Sequence, residues 1–129
     1  MTTNSALVEA FIAAWNAGDG PAIIAAFAPD AVYHNVPMAP LVGVAAIAAA
    51  IEGLIGGMSD IRWELHAIAE DGAGRVLTER TDAFRMAGAP VALPVMGIFE
   101  FRDGLITRWS DYFDLATYQA QLAAGAEAQ

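Results

Sequence analysis

The hydrophobic pattern of this chain changes period once, near residue 58, and that change limits the fold more than any single residue does. Before it, apolar residues recur at helical spacing. Val8, Phe11, Ile12 and Trp15 lie on one stripe, with Thr3, Asn4 or Ser5 available as the N-cap. A second short helix is predicted over 21–27, with Asp19 as its cap, Pro21 in the first turn and Pro29 as its stop. A third covers 43–55, rich in alanine and isoleucine and ended by Gly56 and Gly57. Between them "AVYHNV" reads as a short strand closed by Pro37 and Pro40.

After the change, residues alternate. Ile61, Trp63, Leu65 and Ala67 form one strand, and 75–86, about 91–102, and 105–113 form three more, separated by turns at "DGAG", "AGAP" and "RDG". A short helix from Leu115 to Ala124 follows. Helices first and an antiparallel meander after them predict an α+β fold, with the helices packed on one face of a curved sheet. At 129 residues the chain is long enough for one domain with a substantial core, so residues 1–129 are read as one unit.

Charge removes several classes of function. The chain has no lysine, and its 6 basic residues, all arginine, face 15 acidic ones for a formal charge of -9. Such a chain cannot assemble the basic patches that nucleic acids and anionic membrane surfaces require. With no cysteine, disulfides, thiolate nucleophiles and cysteine metal sites are all excluded. The opening "MTTNSALVEAF" lacks a basic region ahead of an apolar one, and the apolar run "LVGVAAIAAAI" is far shorter than the roughly 20 residues of a spanning helix. A cytoplasmic protein is expected.

The informative residues are polar ones on apolar faces. With a period of two, Val76, Thr78, Arg80, Asp82 and Phe84 share one face of their strand, and Trp109, Asp111 and Phe113 share one face of the last. Tyr33 and Asn35 share a face of the first strand. If Phe84, Trp109 and Phe113 face inward, so do Arg80, Asp82 and Asp111. A buried unpaired carboxylate costs several kcal/mol, and a guanidinium, with five donors in a planar fork, can bridge two carboxylates. Mutual repulsion and desolvation raise the pKa of one carboxylate, whereas Arg80 lowers both. One carboxylate ionised and one protonated is the arrangement for paired base and acid catalysis, although parity does not say which is which. The bland alternative is a rim ion pair, the common fate of an Arg/Asp pair on a strand. His34 and His66 have no metal-ligand spacing, no nucleophile elbow or phosphate loop occurs, and no metal or cofactor is expected.

Three blocks carry these residues: "VYHNVPMAPLVG" (32–43), "LTERTDAFR" (77–85) and "VMGIFEFRDGLITRWSDYFDL" (95–115). In that order they resemble the limonene-1,2-epoxide hydrolase family, and with the leading helices the resemblance covers nearly the whole chain. It implies a cone-shaped, cystatin-like α+β fold of the nuclear-transport-factor-2, ketosteroid isomerase and SnoaL-like group, with a curved mixed, largely antiparallel sheet and N-terminal helices on its concave face. It also implies one-step addition of water to an epoxide, without a metal or a covalent enzyme intermediate, giving a vicinal diol. Carried over, Asp111 would be the general base, Tyr33 and Asn35 would help hold the water, Asp82 would protonate the epoxide oxygen, and Arg80 would bridge the two carboxylates. Met38, Leu41, Leu54, Phe84, Leu93, Val95 and Phe113 are candidate lining residues for a small apolar, cyclic or terpenoid-like epoxide. Ser110 stands where the family commonly has arginine, and the turn in "RMAGAPVA" is short for it.

An isomerase or cyclase on the same cone, or a non-catalytic binding module, are the competing readings; the fixed cation Arg80 disfavours the first, and buried charge without catalysis disfavours the second. Apolar residues on both faces of "VALPVMGIFEF" lead to the expectation of a homodimer formed through the sheet.

Overall fold

The computed structural model describes residues 2–127. Helix α1 (Asn4–Asn16) starts where Thr3 accepts a hydrogen bond from the Ala6 amide, and it buries Val8, Phe11, Ile12 and Trp15, the stripe read from the sequence. Helix α2 (Gly20–Ala25) is capped by Asp19, with proline in its first turn. It ends earlier than predicted, because β1 (Phe27–Asn35) already begins at Phe27. Pro29 therefore does not stop a helix. It lies inside the strand, in the irregular stretch between Phe27 and Val32 where the pairing shifts register and a missing N–H costs little.

A two-residue strand, β2 (Leu41–Val42), was not foreseen; it pairs with β1 ahead of α3 (Val44–Gly57). The long strands follow: β3 (Met58–Glu70), β4 (Val76–Met86), β5 (Ala89–Arg102) and β6 (Leu105–Tyr112), and α4 (Leu115–Glu127) comes last. Both short hairpins take two residues at positive φ, Ala87–Gly88 (49° and 87°) and Asp103–Gly104 (52° and 78°), the geometry whose twist matches paired strands.

The six strands lie in the order β2-β1-β6-β5-β4-β3, antiparallel except where β1 runs parallel to β6. This is the mixed, largely antiparallel sheet expected. Its concave face carries α1: Phe11 packs edge-on to Phe27, Phe99 and Trp109, and Trp15 stacks on Trp63 at 4.5 Å between centroids. That aromatic cluster fills one end of the cone, and a smaller apolar group, Phe84, Val91, Leu93 and Val95, fills the other.

β6 stops at Tyr112, opposite Met96, so residues 89–95 of β5 have strand β4 on one side only. Helix α4 occupies the other side. Gln121 donates to the Ala92 carbonyl and accepts from the Ala92 amide, at 3.0 and 2.8 Å, standing in for a neighbouring strand. The Ala92 amide points to that edge, and by alternation Pro90 and Pro94 place their missing N–H there too, which is why a strand with two prolines still pairs fully with β4. Gly125 completes the fit: a Cβ on it would come within 2.3 Å of the Ala89 Cβ.

Candidate active site

Register brings the polar residues together in rows across the concave face. One row runs Asn35, Asp111, Gly97, Thr78, from β1 through β6 and β5 to β4; the next toward the aromatic end runs Tyr33, Trp109, Phe99, Val76. Toward the other end come Arg80 beside Val95, Asp82 beside Leu93, and Phe84 beside Val91. The parallel pairing of β1 with β6 is what seats Tyr33 flat on Trp109, 4.2 Å apart and 4° from coplanar, and sets Asn35 alongside Asp111.

The Arg80 side chain spans from its own row to the neighbouring one. Its Nε donates to Asp82 Oδ1 at 3.0 Å and its Nη2 to Asp82 Oδ2 at 2.9 Å. The same Nη2 donates to Asp111 Oδ2 at 2.7 Å, and Nη1 to Asp111 Oδ1 at 3.2 Å. Asp111 Oδ1 also accepts from the indole N–H of Trp109 at 2.7 Å. Arg80, Asp82 and Asp111 are 1%, 5% and 4% exposed, so this is a buried trio and not the rim ion pair that a strand Arg/Asp pair more often makes. The guanidinium carbon lies 5.1 Å from the centre of the Trp63 ring, a cation–π contact.

Burial pushes Asp82 up to about 6, although the hydrogen bonds and charge of Arg80 oppose it. Burial likewise raises Asp111, against Arg80 and the Trp109 N–H. Burial alone would lower Arg80, but the two carboxylates outweigh it and hold the guanidinium charged. Two carboxylates about one cation in so dry a place cannot both stay ionised cheaply, and one proton between them neutralises the trio. Among the described residues three donors serve Asp111 and two serve Asp82, which favours the charge on Asp111 and the proton on Asp82. Tyr33 is held well above the usual phenol range by burial and then by the charge of Asp111, so it stays a neutral hydroxyl. It accepts from Asn35 Nδ2 at 3.1 Å and keeps its own proton to donate.

A cavity of about 100 Å³ opens over this trio. Asp82, Asp111, Tyr33, Asn35, Met38, Leu54, Phe84, Leu93, Val95 and Phe113 line it, as does a set that parity did not single out: Trp15, Met58, Trp63 and Tyr118. Arg80 lies behind the two carboxylates, outside the lining. Leu41, expected in the wall, is elsewhere: it pairs with Tyr33 on β2 and packs into the aromatic end of the core, because the short strand turns it away from the cavity. Thr78, Gly97 and Trp109 support the trio from behind. Gly97 had a readable signal, being the lone glycine in the inward-facing series Val91, Leu93, Val95, Gly97, Phe99. Tyr118 had none, since its approach depends on how α4 docks. Among the described residues no group of three His, Asp or Glu converges as a metal site, and no helix is long and apolar enough to cross a membrane.

A curved sheet closed by helices around a buried acid–arginine–acid trio defines a small cone-shaped domain of the nuclear-transport-factor-2 type. Residues 8–109 match the SnoaL-like domain, and the chain belongs to that family. It is 40% identical over 111 residues to epoxide hydrolase EphG of Mycobacterium tuberculosis, covering 84% of this chain and 71% of that protein. Among solved structures, an LEH-like epoxide hydrolase of M. tuberculosis superposes with a TM-score of 0.83 at 37% identity, over 97% of this chain and 92% of that one. A putative polyketide cyclase of Pseudomonas putida reaches a TM-score of 0.81 at 26% identity, over 94% and 98% of the two chains.

Proposed function

We propose that this protein is an epoxide hydrolase that adds water to an apolar epoxide in one step, by general acid and base catalysis and without a cofactor. The observation that carries this reading is the buried bridge Asp82–Arg80–Asp111 at the floor of an otherwise apolar cavity, beside Tyr33 and Asn35. Asp111 takes a proton from water as the water oxygen bonds to one epoxide carbon; the C–O bond at that carbon breaks, and the ring oxygen, still held by the other carbon, receives the proton of Asp82. Tyr33 and Asn35 help orient the water. The diol leaves with the proton on Asp111 instead of Asp82, and its return resets the pair. Epoxide hydrolysis by the M. tuberculosis relative supports the same chemistry.

The enclosed space is smaller than the engineered cavity of about 150 Å³ that takes benzene. A cyclic or terpenoid-sized epoxide would therefore place its epoxide carbons over the trio and extend the rest of its skeleton through the mouth beside Met38, Phe113 and Tyr118. Cyclase or isomerase chemistry needs a base free of a fixed cation, so the double bridge to Arg80 speaks against it. Leu77, Met96 and Tyr112, 39%, 51% and 50% exposed on the outer face, support pairing of two copies through the sheet, which a mass measurement in solution checks.

The test is Asp82→Asn and Asp111→Asn against a panel of cyclic and terpene epoxides. Diol formation should fall on the order of 10²- to 10⁴-fold in each, with circular dichroism unchanged. Wild-type turnover in either folded variant would reject the assignment.

A further inference from the structure

Every N–H of Arg80 is occupied. Four of its five donors go to the carboxylates, and the fifth, on Nη1, goes to Thr78 Oγ1 at 3.0 Å. Thr78 is 1% exposed, and its own hydroxyl proton points to the Gly97 carbonyl at 3.4 Å. The guanidinium thus has no donor left for an epoxide oxygen or a water. Its part in the reaction is to hold two carboxylates in one geometry, and what holds the guanidinium becomes the question.

Two features do so from behind. Thr78 supplies the acceptor for the one N–H that no carboxylate reaches; unmade, that buried donor would carry its full desolvation cost. Gly97 supplies space. It is the residue of β5 directly between Thr78 on β4 and Asp111 on β6. A Cβ built there would lie 2.4 Å from Asp111 Oδ1, 2.6 Å from Arg80 Nη1 and 3.2 Å from Thr78 Oγ1. The guanidinium crosses from its own row to Asp111 over the one position of the strand that has no side chain.

We propose that Thr78 and Gly97 are positioning residues for the reaction: together they form the notch and the acceptor that keep the Arg80 guanidinium bridging Asp82 to Asp111. The proposal rests on the hydrolase reading for its kinetic consequence and on geometry alone for its structural one. Neither residue lines the cavity, so removing either disturbs the chemical step and leaves substrate binding alone. If Thr78 is lost, the guanidinium can satisfy Nη1 only by giving up a bond to a carboxylate. Nη1 itself serves Asp111, so the shared bridge loosens at that side, the carboxylate pair loses part of what lowers its pKa, and the Asp82 titration moves upward with it.

Thr78→Val keeps shape and removes the hydroxyl, Thr78→Ser keeps the hydroxyl, and Gly97→Ala fills the notch. Two measurements are made on each: kcat and KM against pH on an epoxide the wild type hydrolyses, and NMR of the Asp82 carboxyl carbon and the Arg80 guanidinium nitrogens through a pH titration. Expected are a loss in kcat on the order of 10- to 100-fold for Thr78→Val and Gly97→Ala with KM within about threefold, a higher Asp82 midpoint, and near-complete rescue by Thr78→Ser. Should Thr78→Val fail to fold, Thr78→Ala against Thr78→Ser makes the same comparison. An unchanged Asp82 midpoint and kcat in folded Thr78→Val, or a serine variant as impaired as the valine one, overturns the proposal. If the wild type hydrolyses no epoxide, the functional reading fails on its own, and the NMR titration still decides whether Thr78 and Gly97 hold the trio.

Discussion

At the floor of the cavity the polar side chains are held between paired strands, whereas at its mouth the apolar ones are held by a helix lying on a strand edge. The floor draws on β1, β6, β5 and β4 in register, and its groups are fixed by hydrogen bonds of 2.7–3.2 Å. The mouth begins where β6 ends; Phe113 follows the strand, and α4 packs there through Tyr118 and Leu122, with Gln121 as its polar tie to β5. A buried charge tolerates little displacement, while apolar contacts tolerate sliding. On the proposed hydrolase reading, the chemistry falls to the part fixed by hydrogen bonds and substrate choice to the part packed by apolar contacts.

The sharpest way to break this contrast is Arg80→Met. Two buried carboxylates would lose the cation that bridges them, and we expect diol formation to vanish and stability to drop by about 3–5 kcal/mol near pH 8. Urea unfolding near pH 5 should show a smaller deficit, because the acids can then protonate. An equal deficit at both values would mean that the trio is not the strained element of the floor.

Next in size is the response of the wild type to pH. Asp82 goes from 3.8 unfolded to about 6 folded, so between those values the folded state holds the extra proton. Stability from this group is complete below the unfolded value and is lost as pH rises through about 6, on the order of 3 kcal/mol in all. Asp111 is raised as well and acts in the same direction. Unfolding free energies measured across that range should fall with rising pH and flatten in Asp82→Asn. The rate should hold across that range and fall as pH rises through and above about 6, where the folded acid loses its proton, while Tyr33 contributes no further limb at moderately alkaline pH.

The smallest effect is expected at the mouth. Gln121→Ala removes two bonds to one strand residue and should cost roughly 1 kcal/mol, read as a few degrees in Tm. It should change KM for bulky epoxides relative to small ones and leave kcat within about twofold. A large fall in kcat would show that the helix, too, positions the reacting groups.

Much of the site was legible beforehand because strand parity is local. Arg80, Asp82 and Asp111 face the cavity side because they share a pleat with Phe84 and Trp109, and Tyr33 and Asn35 follow the same rule. Other readings failed where structure departs from a continuous helix or strand. Leu41 was misplaced because its strand is only two residues long, and Pro29 because a bulge takes a proline that a regular ladder would not. Thr78 was on the right face all along, yet a threonine among valines and a phenylalanine shows nothing until an arginine donor is found to need it.

The sequence by itself determined the order of helices and strands, the apolar face of each, the absence of lysine and cysteine chemistry, and which charged residues share a face with large apolar ones. All of these follow from local periodicity and composition. Tertiary structure decided the rest: that Gly97 stands between Thr78 and Asp111, that parallel pairing sets Asn35 beside Asp111, and that α4 and not a strand closes the mouth. Register and docking are contacts between residues far apart in the chain, set by bulges, turn lengths and packing, and a period of two is the same in every register.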